Sequence, residues 1–221
     1  MNLADGKILD ARDSAAVLDE LEQRVCATLQ TGALGPETVI KACGRLMDEM
    51  DEAVYLSAMA ELGIDEARGR RYLHEARGLF CEESLRLRLR LELGEGYGEA
   101  HTDTPPFQDF RVTRRIIPLG ALLHIAAGNA DGLPAFSVLE GLLTGNVNIL
   151  KLPAEEGGIS VRLLLELIRI EPALAEYIYV FDYSSKDILN MKKLIAPAEA
   201  VVVWGGSEAV HALRSLVPPH I

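Results

Sequence analysis

The sequence predicts an α/β fold, in which a parallel sheet with flanking helices is preceded by a mainly helical N-terminal segment. Two observations support this prediction. From residue 119 onward, short apolar stretches alternate with segments of helical spacing, an order typical of a parallel sheet. Before residue 94, apolar residues recur mostly at the spacing of amphipathic helices. We therefore expect a helical N-terminal segment over residues 1–105 and an α/β domain over residues 106–221.

The N-terminal segment is expected to start with frayed residues, 1–12, after which Asp13 caps the first helix. Helices are predicted over residues 14–29, 36–62 and 65–93. Leucines alternate with polar residues over positions 85–93, which is also the periodicity of a strand. We favour a helix there, because Leu and Arg are good helix formers and the run continues a helical stretch.

A glycine-rich run, Gly94-Glu95-Gly96-Tyr97-Gly98, follows these helices. Its glycine spacing partly matches that of dinucleotide-binding loops. However, such loops connect an apolar strand to a helix, and neither element is predicted beside this run. We interpret it, together with residues 101–108, as a linker.

The α/β domain is organised around one strand–helix–strand unit. A strand is predicted over residues 119–126, a helix over 134–143 and a second strand over 147–150. Open parallel sheets bind ligands at the carboxyl ends of their strands, and Asn129 and Lys151 follow the two strands of this unit. Both are therefore candidate site residues. The alternatives are that Asn129 only forms a turn and that Lys151 is a solvated surface lysine.

The alternation continues to the last residues. Strands are predicted over residues 177–181 and 200–204, and helices over 159–170, 184–195 and 208–216. Ser184 and Asp187 have the spacing of a capping box at the start of the second of these helices. The turn Gly205-Gly206-Ser207 connects the last strand to the last helix, where free backbone N–H groups can bind an anion. The alternative is a tight turn without a ligand.

Composition excludes several classes of function. The 221 residues carry a net charge of −11 and no basic patch, so a nucleic-acid partner is not expected. Neither a secretory signal nor an apolar run of membrane-spanning length is found, so we expect a cytoplasmic protein. The cysteines, Cys26, Cys43 and Cys81, lack metal-ligand spacing and are interpreted as packed thiols in a reducing compartment.

Three motifs together carry a family resemblance. They are P-L-G-A-L-L-H-I-A-A-G-N, L-L-T-G-N-V-N-I-L-K-L-P and V-V-V-W-G-G-S-E-A-V, in this order. The chain resembles the aldehyde dehydrogenase superfamily, and more closely its acyl-CoA reductase branch, the long-chain fatty acyl (acyl-protein thioester) reductases of bacterial bioluminescence. The resemblance is strong over residues 111–221 and consists mainly of helical pattern before them. It implies a partial Rossmann-like, dinucleotide-binding domain at residues 106–221.

The resemblance implies roles for individual residues. Asn129 matches an asparagine that helps to hold the oxyanion of a thiohemiacetal. Lys151 matches a lysine that contacts the adenosine ribose or the 2′-phosphate of NADP. In the turn Gly205-Gly206-Ser207, the last two residues match a glycine–serine pair that faces the cofactor pyrophosphate, and Val210 matches a residue near the adenine. An inserted residue, Leu152, separates this chain from the usual Lys-Pro-Ser-Glu run, so Glu155 is not assigned to the ribose.

The catalytic cysteine of the family lies downstream of the glycine–serine turn, and none of the three cysteines here matches it. The resemblance therefore implies the N-terminal part of a reductase, without the catalytic domain and inactive by itself. The whole enzyme would make a fatty aldehyde from an acyl-CoA or acyl-protein thioester through a cysteine acyl-enzyme, with NADPH (NADP) favoured over NADH. An acyl-protein synthetase or acyltransferase partner and an oligomeric state are also implied.

Two alternatives remain open from the sequence. The same motifs serve an oxidising aldehyde dehydrogenase. The first hundred residues could instead form a non-catalytic helical module that docks an acyl-transfer partner.

Overall fold

A computed structural model describes residues 1–32, 34–107, 109–126, 133–153, 158–219 and 221, with Leu133 described by its backbone only. Its strands are β1 (Asn2–Ala4), β2 (Lys7–Leu9), β3 (His101–Asp103), β4 (Val112–Arg114), β5 (Ala121–Ile125), β6 (Val147–Lys151), β7 (Ile178–Phe181) and β8 (Ala200–Val203). Its α-helices are α1 (Ala11–Asp19), α2 (Leu21–Thr31), α3 (Pro36–Glu49), α4 (Glu52–Glu61), α5 (Glu66–Phe80), α6 (Glu82–Leu93), α7 (Leu133–Leu143), α8 (Ile159–Ile170), α9 (Ile188–Ile195) and α10 (Ser207–Arg214). A short 3-10 helix covers Pro172–Tyr177.

The main sheet has the strand order β2-β1-β7-β6-β5-β8 within the described residues. Strands β7, β6, β5 and β8 run parallel to one another. The chain passes from β5 outward through β6 to β7 and then returns to place β8 on the other side of β5. This reversal of strand order is the topological switch point of an open α/β sheet. The predicted α/β fold with a parallel sheet and flanking helices is confirmed.

The central strands are buried along their whole length. Every residue of β5 and β6 is buried, which explains why their sequences are nearly continuous apolar runs and do not alternate. Helices α7 and α8 pack beside them through residues of the same core cluster, such as Leu139, Leu142 and Leu164. Strand β8 is only half-buried and forms one edge of the sheet within the described residues.

The expectation that residues 1–12 are frayed is wrong. Strands β1 and β2 form a hairpin whose turn is Asp5-Gly6, both with positive φ (51° and 69°). Asp-Gly is a preferred sequence for the two-residue turn of a hairpin. Leu3 is fully buried and pairs antiparallel with Val180 of β7. The first strands therefore extend the sheet that the C-terminal residues form, while the division of the chain at residue 105 stays a prediction.

The N-terminal segment is helical as predicted, but each long predicted helix is divided in two. The first divides at Glu20, and its cap is Asp10, whose carboxylate accepts a hydrogen bond from the Asp13 backbone N–H at 2.8 Å. The second divides at Met50, after which Asp51 caps α4. A cap of this kind starts a new helix because it binds otherwise unpaired N–H groups of the first turn.

The third predicted helix divides at Cys81, where the backbone is extended. The leucine-rich run after it is helical, as favoured from the sequence. The glycine-rich run that follows connects α6 to β3 without a helix at Gly98, which agrees with a linker. Residues 101–108, in contrast, are not only a linker, because Thr102 of β3 pairs with Thr113 of β4 in a separate antiparallel ribbon.

The start of α9 differs from the prediction. Its N-cap is Asp187, whose carboxylate accepts from the Asn190 backbone N–H at 3.2 Å, so Ser184 does not cap the helix. The other predicted elements of the α/β domain are present with small shifts of their ends. Throughout the described residues, each helix is too short or too polar to cross a bilayer.

Candidate functional site

The parallel register brings two candidate segments to the same edge of the sheet. Ile125, the last residue of β5, pairs with Lys151 at the end of β6 and with Val203 at the end of β8. Lys151 and the turn Gly205-Gly206-Ser207 therefore both lie at the carboxyl edge, on the two sides of β5. Asn129 and Glu155 fall outside the described residues, so the structure gives neither a position nor a contact for them.

Lys151 is buried, with 6% of its surface exposed. Its backbone carbonyl accepts a hydrogen bond from the Ala126 N–H at 3.3 Å, which fixes the end of β6 against β5. Burial lowers the pKa of its ammonium group, because a low-dielectric environment disfavours the charged form. The ammonium group makes no hydrogen bond or ion pair with any described residue. The interpretation of Lys151 as a solvated surface lysine is therefore wrong, and a buried cation of this kind fits an anionic ligand.

The turn after β8 presents a helix N-terminus. Helix α10 starts at Ser207, and its N-cap, Gly206, has no side chain to bind the N–H groups of the first turn. A Cβ atom placed on Gly206 would have no described atom within 4 Å, so the space beside the turn is open. Val210, which matches the residue near the adenine, lies one turn into the helix and is 38% exposed. These features fit a phosphate group at the helix N-terminus, and they fit a tight turn equally well.

A chain of hydrogen-bonded polar side chains, which the sequence analysis missed, runs from three buried residues to Trp204, which is 41% exposed and precedes this turn. The indole Nε1 of Trp204 donates to Ser137 Oγ at 3.1 Å. Ser137 Oγ lies 2.7 Å from His124 Nδ1, and His124 Nε2 lies 3.0 Å from Asn148 Oδ1. The Asn148 amide in turn donates to the Asn146 carbonyl oxygen at 2.7 Å. We call Trp204, Ser137, His124 and Asn148 the polar chain.

The direction of each hydrogen bond in the polar chain follows from its ends. The Asn148 amide nitrogen is used as a donor, so its Oδ1 accepts a proton from His124 Nε2. His124 Nδ1 of the neutral ring is then an acceptor for the Ser137 hydroxyl, which leaves the Ser137 oxygen to accept from Trp204. Burial lowers the pKa of His124, although its bond to Asn148 opposes the shift. A neutral imidazole agrees with this arrangement.

A sequence signal for the polar chain exists. His124 and Asn148 are polar residues inside two buried strands that are otherwise apolar except for Lys151 at the end of β6. Asn148 pairs with Leu122, so it lies one same-face position from His124 across the ladder. Gly141 of α7 leaves room for Asn148, because a Cβ there would overlap its amide oxygen and lie 2.9 Å from its Cγ. A polar pair inside two adjacent buried strands indicates a hydrogen-bonded cluster.

The cysteines are not alike. Cys43 is buried, and burial raises the pKa of its thiol to about 12, which agrees with a packed thiol. Cys26 is exposed, so the same interpretation is wrong for it. Cys81 is half-buried at the junction of α5 and α6, where hydrogen bonding with Ser84 lowers its pKa. Among the described residues, no group of His, Cys, Asp or Glu is arranged to hold a metal ion.

The fold is similar to that of solved aldehyde dehydrogenases. The structure is similar to an NAD-dependent benzaldehyde dehydrogenase from Corynebacterium glutamicum, with a TM-score of 0.69 at 17% identity over 91% of this chain and 43% of that one. It is also similar to an NADP-dependent enzyme from E. coli, with a TM-score of 0.63 at 19% identity over 98% of this chain and 45% of that one. The family model "Acyl-CoA reductase (LuxC)" matches residues 37–221, and the chain belongs to this family.

One curated relative is the long-chain acyl-protein thioester reductase of Vibrio harveyi. It is 29% identical over 110 residues, which are 48% of this chain and 23% of that reductase. The chain thus matches about a quarter of the length of this relative and less than half the length of the solved dehydrogenases.

Proposed function

We propose that this chain is the N-terminal, dinucleotide-binding part of an acyl-thioester reductase, which makes a fatty aldehyde with NADPH through a cysteine acyl-enzyme. The observation that supports it most directly is that two features suited to an anion lie at the same edge of the sheet. One is a buried lysine with no partner among the described residues, and the other is a helix N-terminus without a side-chain cap. Lys151 and the start of α10 lie on the two sides of β5 at the edge where open α/β sheets bind ligands. Both features favour an anion such as the phosphates of a dinucleotide.

In this proposal, the turn Gly205-Gly206-Ser207 holds the pyrophosphate through the free N–H groups of α10, and Val210 packs near the adenine. Lys151 contacts the adenosine ribose or its 2′-phosphate. A bound nicotinamide cofactor supplies the hydride that reduces the acyl group. Asn129 donates hydrogen bonds from its carboxamide to the oxyanion of the thiohemiacetal, where charge develops on oxygen. The thiolate that carries the acyl group belongs to a cysteine other than Cys26, Cys43 and Cys81.

NADPH is proposed over NADH because a buried ammonium group is suited to the extra charge of a 2′-phosphate. Lys151 carries one positive charge in a setting that disfavours it, so an added phosphate would both neutralise the charge and supply hydrogen-bond acceptors. The family relative named above acts on a long-chain acyl-protein thioester by its name. We propose the same class of substrate here, as a protein or CoA thioester, with an acyl-protein synthetase or acyltransferase as the donor.

The second candidate function is the oxidation of an aldehyde. The structurally similar benzaldehyde dehydrogenase is named for a reaction of this kind. Both reactions need a dinucleotide, an oxyanion donor and a thiolate, so the same site serves either. The two candidate functions differ in the substrate that the enzyme uses, which is an acyl thioester for reduction and an aldehyde for oxidation.

The test uses the complete purified protein. Each candidate substrate is added in a separate assay. We expect NADPH oxidation with a long-chain acyl-CoA or acyl-protein thioester, with fatty aldehyde as the product detected by mass spectrometry. NADH in place of NADPH should give a lower kcat/KM. Oxidation of a fatty aldehyde with NADP⁺ and no thioester reduction would favour the second candidate function. Absence of both reactions, with no dinucleotide binding, would contradict the proposal.

A further inference from the structure

Strand β8 and helix α10 lie at one edge of the described structure. Strand β8 is half-buried and pairs with β5 alone within the described sheet. Helix α10 buries only Leu213 among its residues. In the part of the chain that the structure describes, the bond from Trp204 Nε1 to Ser137 Oγ is the only side-chain hydrogen bond that connects residues 200–214 to another element.

Trp204 is the residue that immediately precedes the turn Gly205-Gly206-Ser207. Its backbone N–H donates to the Ile125 carbonyl oxygen at 2.9 Å, and its indole donates to α7 through Ser137. One residue is thus fixed at two points, on β5 and on α7. Because two anchor points define an orientation as well as a position, they determine the direction in which the chain enters the turn.

The Ser137 oxygen can accept the hydrogen bond from Trp204 only while the Ser137 hydroxyl hydrogen points to another acceptor. Ser137 lies in α7 and is 5% exposed. Its hydroxyl donates a hydrogen bond to His124, which is 2% exposed. The ring of His124 is held in the matching tautomer by Asn148, which is fully buried. Every donor and acceptor along the polar chain therefore has a defined role, and a change at Ser137 or His124 reaches Trp204 without a change in the turn itself.

The sequence accommodates the polar chain at a cost to local structure. The polar side chains of His124 and Asn148 lie inside two buried strands whose other residues, apart from Lys151, suit an apolar core. A glycine occupies the interior of α7 at Gly141, where glycine is unfavourable, and its missing Cβ makes room for Asn148. A purely structural sheet could place apolar residues at all of these positions.

We propose that Ser137 and His124 are positioning residues for the dinucleotide, which act through Trp204 to hold the turn Gly205-Gly206-Ser207 so that the N-terminus of α10 meets the pyrophosphate. The identity of the ligand rests on the function proposed above. The arrangement of the turn does not depend on it.

The first measurement is dinucleotide affinity in the complete protein, by calorimetric titration with NADPH. Ser137→Ala and Trp204→Phe each remove one partner of the same hydrogen bond, and each should weaken binding about threefold to tenfold. The double variant should bind no more weakly than the weaker single variant, because each change already breaks the bond between Trp204 and Ser137. Ser137→Thr keeps the hydroxyl and should retain affinity close to that of the wild type.

Ser14→Ala is the matched control. Ser14 is a fully buried serine whose hydroxyl is 2.9 Å from the hydroxyl of the half-buried Tyr183, so the variant also loses a hydrogen bond of a buried serine. Tyr183 follows β7, which is separated from β8 by two strands. Ser14→Ala should lower the melting temperature while leaving the NADPH affinity unchanged.

The second measurement needs no ligand. Trp204 is the one tryptophan among the 221 residues, and the difference between wild-type and Trp204→Phe emission isolates its signal in the complete protein. Ser137→Ala should shift this emission and increase its quenching by acrylamide, because the indole N–H loses its partner. Ser14→Ala should leave it unchanged.

These outcomes separate the positioning role from the proposed function. A wild-type protein that binds neither NADPH nor NADH contradicts the proposed function, and the Trp204 emission then still tests the anchoring. Unchanged Trp204 emission in Ser137→Ala overturns the positioning role. The positioning role is also overturned if Ser137→Ala leaves the NADPH affinity unchanged, or if Ser14→Ala lowers it as much as Ser137→Ala does. It is overturned as well if the loss of affinity in the double variant equals the product of the two single losses.

Discussion

At the scale of single residues, Lys151 is the clearest case in which burial decides the interpretation. The sequence places a lysine at the end of a strand, which is equally typical of a solvated residue and of a ligand-binding one. The structure buries most of its side chain and gives the ammonium group no partner among the described residues, and burial lowers its pKa because the charged form is disfavoured, which costs stability. A residue that reduces stability in this way is a candidate for a role in binding.

Lys151→Met should therefore separate stability from binding. Methionine has a similar length and no charge, so we expect the free energy of unfolding to rise by about 1 kcal/mol, measured by urea denaturation. NADPH affinity should fall, and NADH affinity should fall less if the ammonium group meets the 2′-phosphate. Lys192→Met, at an exposed position of α9, is the control and should change neither quantity. If Lys151→Met binds NADPH and NADH each as tightly as the wild type does, Lys151 is not part of the binding site.

Asn129 lies outside the described residues, so its role as an oxyanion donor stays a prediction. We expect Asn129→Ala to lower kcat by roughly a hundredfold while the NADPH dissociation constant stays nearly unchanged, because the donor acts when charge develops on oxygen. Asn129→Asp should be at least as damaging, since it replaces a donor with a negative charge. A turn-forming role predicts the opposite pattern, in which Asn129→Gly is fully active. Kinetics, cofactor titration and melting temperature of the three variants distinguish the two roles.

His124 gives a prediction about pH. Burial lowers its pKa, so between that value and the unfolded value of about 6.5 the unfolded chain binds more protons than the folded one. Its contribution to stability is complete above about pH 6.5 and is lost as the pH falls toward the folded pKa. Urea midpoints measured from pH 8 to pH 5 should therefore fall more in the wild type than in His124→Gln. His74→Gln, at an exposed position, should follow the wild type; a His124→Gln profile that also follows it would contradict the prediction.

At the scale of elements, helix α7 is defined as much by a missing side chain as by its apolar residues. Leu139, Leu142 and Leu143 bury it against the sheet, and Gly141 admits Asn148 between the helix and β6. An alanine would normally stabilise a helix interior by about 1 kcal/mol relative to glycine. Here its Cβ would overlap the Asn148 amide, so packing and helix propensity act in opposite directions.

We expect packing to dominate at this position. Gly141→Ala should lower the free energy of unfolding by roughly 1–3 kcal/mol, because the Asn148 amide and the ring of His124 must move. Gly78→Ala is the matched control, since a Cβ added to that glycine of helix α5 would have no described atom within 4 Å. It should raise stability by up to about 1 kcal/mol. A stabilising Gly141→Ala would show that Asn148 is free to reorient.

At the scale of the whole molecule, the order of the parallel strands places β5 at the centre of the site. The reversal between β7 and β8 makes the end of β5 the topological switch point, with Lys151 on one side and the α10 turn on the other. Cys26 is placed differently. Thr28, near Cys26 in α2, donates to the Glu176 carbonyl oxygen just before β7 begins, which puts α2 near the opposite edge of the sheet.

We predict that none of the three cysteines is the nucleophile. The complete protein carrying Cys26→Ser, Cys43→Ala and Cys81→Ser should retain most of its aldehyde-forming activity, measured with acyl-CoA and NADPH. The 221-residue chain expressed alone should form no aldehyde. Cys43 has a pKa raised to about 12 and is protonated at neutral pH, so it cannot act as a thiolate. Loss of activity in Cys81→Ser alone would identify that thiol, whose pKa is lowered by Ser84, as the nucleophile.

The sequence by itself determined the α/β class, the helical N-terminal segment and most strand and helix positions from residue 119 onward. These features depend on local periodicity, glycine turns and apolar runs, which each short stretch of sequence carries within itself. The Asp5-Gly6 turn was also readable locally, but its strands were missed because three-residue strands are too short for periodicity to reveal them.

Only the tertiary structure decided what the candidate residues contact. The burial of Lys151, the pairing of Leu3 with Val180 and the bond from Trp204 to Ser137 join positions that are far apart in the sequence. Such contacts depend on strand order and register, which are set by the packing of all the elements together and not by any one of them. The polar residues of β5 and β6 were visible as exceptions, but their hydrogen bonds became defined only when the two strands were aligned.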